Sequence, residues 1–582
     1  MTKSTKTIAS RPAAAVLSFA VLLGAAVAGA PARATDDILT RALADEMART
    51  MARLRLEPFA GPYRVAYTAV ESEQFSADAN FGSLVRKGRG KSRTLRADVR
   101  VGDYTLDNSN FEAGGGGFFG GGGGGGGAVE SLPEEDDYEA IRHRAWLVTD
   151  GAYKGALETL ARKKAFLETN TVTDRPADLS PELPPVLAPP YAEKARLAID
   201  EERWAKAAVE LSSVFRSFPE IQDSSVSFGA VARTRTFLTS EGIRNRTAET
   251  TLRLDVSAGT QAVDGMPLGD ALSFVGRLES DMPPLEEMKA KVEALAKGLA
   301  ARVSARRAEE YIGPVLFEGE AAGEFLLQLL VDRLANPREP LGSRGGGGTP
   351  FKNRLRKRVL PAFLTVIDDP SLASFAGKPL LGAYAIDDDG FPAQKVTLVE
   401  DGRLLSWYMS RVPTREIAKT NGHGRNGVGD AGSVIVTSKL SVPEAKLREE
   451  LLRNAREQEL AWAVRVESLS RTDLRVRGAR GPGARGGSSE ASLSAPVRAY
   501  WVSVEDGREE PMRGGEFQAV TLRTLRDVIL TGDTPHVLNT TRRSHAVSIV
   551  TPSLLVEEME MRKPTEEQVK APQLKHPHFD KP

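Results

Sequence analysis

Hydrophobic and polar positions follow two rhythms along the first half of the chain. Alternation with period two and many β-branched residues predict strands, whereas apolar residues three and four positions apart predict helices. Strands are predicted at 62–78, 93–108, 224–240 and 243–259, and helices at about 35–55, 136–168 and 191–217. The Glu241–Gly242 pair between the last two strands predicts a hairpin turn. Gly151 predicts a break in the second helix.

One further helix, with a single apolar face, closes this first half. Its apolar residues step by three or four positions and should pack on a sheet. They are Leu285, Met288, Val292, Leu295 and Leu299. Beyond residue 305 the pattern changes to short strand-like segments separated by turns. We therefore predict an α+β protein with two domains, an N-terminal α+β domain at 35–305 and a β-rich domain at 306–562.

Glycine-rich and polar segments interrupt this pattern. The run at 114–127 contains two phenylalanines among glycines and predicts a loop within the first domain. Two further glycine-rich segments, 342–348 and 478–488, predict loops in the second domain. Residues 563–582 are predicted to form a polar tail.

The first 34 residues have the pattern of a secretory signal peptide. A basic start is followed by the apolar run 13–30 and by Ala32-Arg33-Ala34, a small-x-small cleavage site. Cleavage is predicted after Ala34, which would place the mature chain in the periplasm or outside the cell. A retained membrane anchor is the alternative, but the run is short and rich in Ala and Gly. After cleavage we expect no stable membrane span.

Charge and cysteine content exclude several classes of function. The chain of 582 residues has 78 basic and 78 acidic residues. Removal of residues 1–34 takes away four basic and no acidic residues, which leaves 74 against 78, or a net charge of −4. We therefore expect no nucleic-acid partner. The absence of cysteine excludes a thiol nucleophile, a cysteine-ligated zinc ion and an iron–sulfur cluster.

The strongest chemical signals are acidic residues and one histidine. A short apolar run ending at Phe317 leads into a predicted helix with Glu320 and Glu324 four positions apart. They form either a carboxylate pair for acid–base chemistry or ordinary first-turn acids favoured by the helix dipole. Glu318 is predicted to be a solvent-exposed or capping residue. His423, in the glycine-rich stretch 421–427, is a weak candidate for a loop residue near a cleft.

Other acidic and histidine residues are predicted to be structural or exposed. The acids at 368–370 and 386–390 lack the spacing of a calcium loop and are expected to be turn acids. His536 and His545 are predicted to lie on the surface. None of these residues is predicted to bind a metal.

Five sequence blocks occur in the order found in the TldD/PmbA family. They are "YIGPVLFEGEAAGEFL", "DDPS", "GAYAIDDDGFPAQKVTLVEDGRLLSWYMSR", "TNGHGR" and "SIVTPSLLVEEMEM". The chain therefore resembles this family over roughly 305–562. Its members are described as zinc metallopeptidases and as modulators of DNA gyrase. The resemblance implies two α+β domains and an association of two chains around an enclosed peptide-cleaving chamber.

This sequence departs from the active TldD type at the metal positions. That type carries H-E-x-x-x-H on the helix after the strand, with two imidazoles for zinc and a glutamate as base, and a cysteine ligand late in the chain. Here the window 318–323 reads "EGEAAG", with Gly319 at the base position, and there is no cysteine. The stretch thus resembles the PmbA-type subunit without the zinc motif. We predict no cofactor for this chain and expect zinc only in an active family partner.

Three functions remain open. The chain is a zinc-less pseudoenzyme or partner subunit in peptide processing, a hydrolase that uses carboxylates or unusual ligands, or a peptide-binding scaffold of the cell envelope. Whether it is itself an enzyme therefore stays open. The resemblance implies a homodimer or a heterodimer with a TldD-type subunit, acting on peptides or unfolded polypeptides.

Overall fold

The computed structural model describes most of the chain beyond the predicted signal peptide. The described residues are 37–112, 129–173, 175–335, 338–343, 349–471, 473–474, 492–542, 545–563 and 578–579. The predicted signal peptide, the glycine run at 114–127, the segment 478–488, most of 342–348 and nearly all of the tail lie outside these residues. They remain predictions.

The first half of the chain forms a six-stranded antiparallel sheet with four helices on it. Its strands are β1 (Arg64–Asn80), β2 (Ser83–Arg100), β3 (Val129–Ser131), β4 (Asp223–Thr239), β5 (Arg244–Gln261) and β6 (Pro267–Gly276), in the spatial order β3-β2-β1-β4-β5-β6. Its helices are α1 (Ile38–Arg53), α2 (Tyr138–Thr169), α3 (Glu201–Ser213) and α4 (Leu285–Arg302).

The length of the strands explains how one sheet holds four helices. β1 has 17 residues, or about 55 Å at about 3.3 Å per residue. Its odd-numbered residues all point to one face. Val65, Tyr67 and Ala69 pack in a core with α1 and α2, and Phe75 and Ala77 pack in a second core with α3 and α4. The two helix pairs therefore cover opposite ends of the same face.

In this half, local sequence misplaced two element boundaries and predicted one helix break that does not exist. Helix α2 runs through Gly151 without a break, because nothing crowds this position and a helical glycine costs only about 1 kcal/mol. Strand β2 begins at Ser83, ten residues before the predicted start, since the whole segment pairs with β1. Helix α3 begins at Glu201, after the N-cap Asp200. The predicted hairpin is confirmed, with Gly242 at a φ of 93° between β4 and β5.

The second half is β-rich, as predicted, and contains two larger sheets. The nine-stranded sheet comprises β7 (Arg306–Arg307), β8 (Tyr311–Phe317), β17 (Ser441–Val442), β18 (Trp462–Leu469), β19 (Pro496–Ser503), β20 (Glu509–Arg513), β21 (Glu516–Gln518), β22 (Val528–Gly532) and β25 (Leu554–Arg562). The six-stranded sheet comprises β9 (Leu364–Asp368), β12 (Val396–Glu400), β13 (Arg403–Leu404), β16 (Ser433–Ser438), β23 (His536–Arg542) and β24 (His545–Thr551).

Smaller elements complete this half. Two short hairpins are formed by β10 (Ser374–Phe375) with β11 (Lys378–Pro379) and by β14 (Gly424–Arg425) with β15 (Val428–Gly429), and the helices are α5 (Glu320–Leu329) and α6 (Glu444–Glu457). Helix α5 is buried between the two larger sheets, where Phe325, Leu326 and Leu329 join the main core. The fold is therefore α+β, as predicted.

Two further observations bear on the predictions. Within the described part of the chain, no helix combines the length and apolar character needed to cross a membrane. The predicted domain boundary near residue 305 falls between α4 and β7 and stays a prediction.

Candidate functional site

The junction between β8 and α5 has the predicted strand-to-helix form. The strand ends at Phe317 and the helix begins at Glu320. Gly319 is the N-cap and has φ 53° and ψ −122°, a conformation that glycine adopts far more readily than other residues. Because Glu318 and Gly319 precede the helix, the window 318–323 lies only partly on it. Glu318 and Gly323, the first and last positions of the window, therefore do not share a helix face.

Glu318 is held by two arginines, which corrects the expectation of a solvent-exposed or capping residue. Arg448 donates to its two carboxylate oxygens at 2.9 and 3.1 Å, and Arg465 donates at 2.8 Å. Burial alone would raise the pKa of Glu318, but the hydrogen bonds and charges of the arginines lower it. The carboxylate is therefore engaged in ion pairs.

Gly323 is packed against strand β23. A Cβ atom at this position would lie 2.8 Å from Leu538 Cδ2 and 2.9 Å from Leu538 Cβ. Real Cβ atoms do not approach carbon so closely, so a histidine here would have to displace Leu538. Glu318, Gly319 and Gly323 therefore do not fit a zinc ion. Among the residues that the structure describes, no group of three or more His, Asp or Glu is arranged to hold a metal.

A stripe of polar residues runs along the otherwise apolar α5 and the 3₁₀ turn that follows it. We call this set the α5 stripe: Glu320, Glu324, Gln328 and Asp332. Its members are four positions apart and therefore share one side of the helix. The sequence analysis found only the first pair, although the same spacing of four residues continues to Gln328 and Asp332.

Three arginines from later in the chain meet the α5 stripe. Arg498 donates to Glu320 at 3.2 Å, and Arg542 forms an ion pair with Asp332. Arg471 Nε lies 3.8 Å from Glu324 Oε1. Gln328 has a backbone partner instead, since its Oε1 accepts from Ser494 N at 2.9 Å.

Glu320 and Glu324 have different environments although they share the stripe. The Glu320 side chain is 36% exposed, which fits an ordinary first-turn acid. Glu324 is 2% exposed, which does not fit an ordinary first-turn acid at the surface. Gln328 donates to Glu324 Oε2 at 3.0 Å. Burial raises the pKa of Glu324 to about 7, with the charge of Arg471 acting in the opposite direction.

Two of the arginines connect the α5 stripe with the N-terminal sheet. Arg471 donates to Asp473 at 3.0 and 2.8 Å, and Arg253 of β5 donates to the same carboxylate at 3.1 Å. Arg498 donates at 2.8 Å to Asp270 of β6. Alternating charges therefore lead from α5 to β5 and to the edge strand β6 of that sheet.

His423 lies in a separate buried cluster. Its side chain is fully buried, with Nδ1 2.9 Å from the Asn421 carbonyl oxygen and Nε2 3.5 Å from Asp368 Oδ1. The Tyr408 ring centroid is 5.4 Å from that of His423. His423 has no exposed surface in this conformation, so a polypeptide substrate could not contact it without a rearrangement of the loop.

The acidic turns are buried rather than solvated. Asp368 accepts from the backbone N–H groups of Gly432 and Ser433 at 2.9 and 2.8 Å. Asp387 accepts three backbone N–H groups, and burial together with the charge of Asp389 raises its pKa well above the usual value. These carboxylates hold the loops around His423 together.

His545 also differs from its prediction. Its side chain is only 12% exposed, and its Nε2 lies 3.4 Å from Asp430 Oδ2. It is therefore largely buried beside an acid rather than a surface residue.

Comparisons with known proteins extend the resemblance seen in the sequence. Residues 309–563 match the family model of the PmbA/TldA metallopeptidase C-terminal domain. A metalloprotease of Archaeoglobus fulgidus is 36% identical over 80 residues, which are 14% of this chain and 17% of the relative. The metalloprotease TldD homolog of Buchnera aphidicola is 34% identical over 80 residues, 14% of this chain and 16% of the relative. The matches thus span only about a sixth of these relatives.

Solved structures share the fold over most of the chain. TldE of Thermococcus kodakarensis has a TM-score of 0.55 at 12% identity and covers 89% of this chain and 99% of its own. A proposed modulator of DNA gyrase from Bacteroides thetaiotaomicron has a TM-score of 0.59 at 12% identity, with coverages of 90% and 98%. At such low identity the likeness shows the fold alone. Together with the family model over residues 309–563 and the curated relatives, it supports the TldD/PmbA family for this chain.

Proposed function

We propose that this chain is a zinc-less partner subunit of a TldD-type metallopeptidase, which shapes or closes a peptide-processing chamber. The observation that carries the proposal is the β8–α5 junction. There Glu318 is bound by two arginines, Gly319 offers no side chain, and Gly323 is covered by Leu538. Three neutral or anionic ligands around one ion are needed for zinc, and this junction supplies none of them in a usable position.

The comparisons support a partner role. The fold is shared with TldE, while the curated relatives are called metalloproteases. On this proposal the chain pairs with a TldD-type subunit, or with a second copy of itself, and the substrate is a peptide or an unfolded polypeptide.

The proposal includes export. The basic start, the apolar run at 13–30 and Ala32-Arg33-Ala34 support a cleavable signal peptide. The catalytic partner would then be an exported relative with an intact H-E-x-x-x-H motif. A nearby gene for such a chain would support the pairing.

A second candidate function is a carboxylate-based hydrolase. Glu324 favours it, because a buried carboxyl group whose pKa is about 7 can donate or accept a proton near neutral pH. The 2% exposure of Glu324 disfavours the hydrolase, since the residues of the α5 stripe would have to move before a substrate could reach the carboxyl group.

The test combines metal analysis with peptidase assays. Purified mature chain is analysed for zinc by mass spectrometry and assayed on unstructured peptides, alone and with any co-purifying chain. We expect substoichiometric zinc and activity only with a zinc-containing partner. One tightly bound zinc ion per chain would overturn the proposal. Activity of the isolated chain that is lost in Glu324→Gln and kept in the matched control Glu320→Gln would favour the hydrolase instead.

A further inference from the structure

The guanidinium group of Arg471 lies in a cage of oxygen atoms. It donates to Asp473 Oδ1 and Oδ2 at 3.0 and 2.8 Å and to the Asn539 carbonyl oxygen at 3.2 Å. Glu324 Oε1 lies 3.8 Å away. The side chain is only 6% exposed. Two carboxylates and a backbone carbonyl therefore surround one cationic group.

These oxygen atoms belong to three different parts of the fold. Glu324 is on α5, Asp473 follows the end of β18, and Asn539 is on β23. The same strand carries Leu538, which packs on Gly323. The positive charge thus sits where the helix, the strand beside it and the end of β18 meet. Carboxylate and carbonyl oxygens are also the ligand types of hard metal cations, but the planar fork of arginine fits the bidentate contact with Asp473.

We propose that Arg471 is a built-in cation that ties α5 to β23 and to the end of β18. The proposal goes beyond the proposed function and rests only on the contacts of Arg471.

Removal of the guanidinium group has a defined consequence. In Arg471→Ala the carboxylates of Glu324 and Asp473 face each other with one positive charge fewer between them. Arg253 still donates to Asp473 at 3.1 Å, so that acid keeps one cationic partner. Glu324 keeps its hydrogen bond from Gln328 but loses the positive charge 3.8 Å away. The oxygen atoms of Asp473, Asn539 and Glu324 then surround the position of the deleted group, and we expect a free guanidinium ion to bind there.

The experiment is chemical rescue of Arg471→Ala. Melting temperatures of the mature chain and the variant are measured in low millimolar guanidinium chloride, with sodium chloride of equal ionic strength as the salt control. We expect a lower melting temperature for the variant and a saturable recovery with guanidinium only. Arg448→Ala, which removes an exposed arginine from Glu318, is the matched control and should show no recovery. Arg471→Lys should restore only part of the stability, since one ammonium group cannot reproduce the fork.

Local stability gives a second readout if Arg471→Ala is too unstable to melt cooperatively. Hydrogen exchange followed by mass spectrometry on Arg471→Lys should then show faster exchange in 320–329 and 536–542, with α2 unchanged. Unchanged stability of Arg471→Ala, a loss that guanidinium does not recover in a folded variant, or unchanged exchange in those two segments would overturn the inference. Zinc in the unmodified chain would instead overturn the proposed function and leave the rescue result standing.

Discussion

Arg411 and Glu241 form a two-pronged ion pair between the two halves of the molecule. Arg411 Nη1 donates to Glu241 Oε2 and Nη2 donates to Oε1, each at 2.8 Å. The two side chains are 1% and 6% exposed. Glu241 lies in the turn between β4 and β5, and Arg411 lies in the loop that follows β13. The pair therefore fixes the end of the N-terminal hairpin to a loop of the β-rich half.

We expect Arg411→Ala to lower the free energy of unfolding by about 3–5 kcal/mol, because it leaves a buried carboxylate without its main partner. The measurement is unfolding in urea at pH 7. Arg233→Ala is the matched control, since the Arg233–Glu249 pair of the same hairpin is 44% and 47% exposed and should contribute about 0.2–1 kcal/mol. Equal losses in the two variants would contradict this expectation.

The same pair predicts a loss of stability in acid. Burial would raise the pKa of Glu241, but Arg411 and Arg64 lower it from 4.5 to about 2. A lowered pKa in the folded state stabilises above the unfolded value, and the contribution is lost as the pH falls from 4.5 towards 2. The difference in unfolding free energy between the unmodified chain and Glu241→Gln should therefore shrink over this range. A constant difference would show that the carboxylate is not the titrating group.

Glu324 predicts the opposite dependence on pH. Its pKa rises from 4.5 to about 7 in the folded state, so the folded state binds more protons between these values and loses stability as the pH rises. We expect Glu324→Gln to gain about 3 kcal/mol relative to the unmodified chain between pH 4.5 and pH 8. Glu320→Gln, on the same stripe but 36% exposed, should show little change. If neither variant's difference in unfolding free energy from the unmodified chain changed with pH, a raised pKa of Glu324 would be excluded.

The contact between Gly323 and Leu538 predicts an unfavourable effect of one methyl group. Gly323→Ala should destabilise by about 1–3 kcal/mol because the new Cβ overlaps Leu538. Leu538→Ala should lower the free energy of unfolding less in Gly323→Ala than in the unmodified chain. A double-mutant cycle measures this difference.

Gly151→Ala in α2 is the control for this cycle. Nothing lies within 4 Å of that Cβ position, and the substitution should stabilise by about 0.5–1 kcal/mol. Stabilisation by Gly323→Ala as well would mean that α5 and β23 are not in close contact.

Burial and the nearby charge of Asp389 raise the pKa of Asp387 well above its usual value. Asp389→Asn removes that charge and leaves an amide oxygen to accept from Arg411 N. The variant should lose less stability as the pH rises, by about 1.4 kcal/mol for each unit by which the pKa of Asp387 falls. The measurement is the free energy of unfolding in urea at pH 6 and pH 9. If it changed equally between these pH values in the variant and the unmodified chain, the charge of Asp389 would not affect the pKa of Asp387.

Mass spectrometry of the exported protein tests the predicted signal peptide. We expect a mature chain that begins at Thr35, because cleavage follows the small residue at position 34. Recovery of the intact N-terminus from membranes would support the anchor instead.

Local patterns were sufficient for much of the fold. Period-two alternation located β4 and β5 and their turn, and steps of three and four located α4, because these periodicities follow directly from strand and helix geometry. The run before Phe317 and the acids after it placed β8 and α5. Five ordered blocks gave the family. The sequence alone also showed that no cysteine and no H-E-x-x-x-H motif is present.

The chemistry of the site was decided by tertiary structure. Glu320 and Glu324 look alike in sequence, yet one is partly exposed and the other is buried with a pKa of about 7. Arg471 and Arg542 reach the α5 stripe from more than 140 positions away, and Leu538 fills the space beside Gly323. Burial and charge partners depend on which distant segments are packed together, and no local periodicity specifies that.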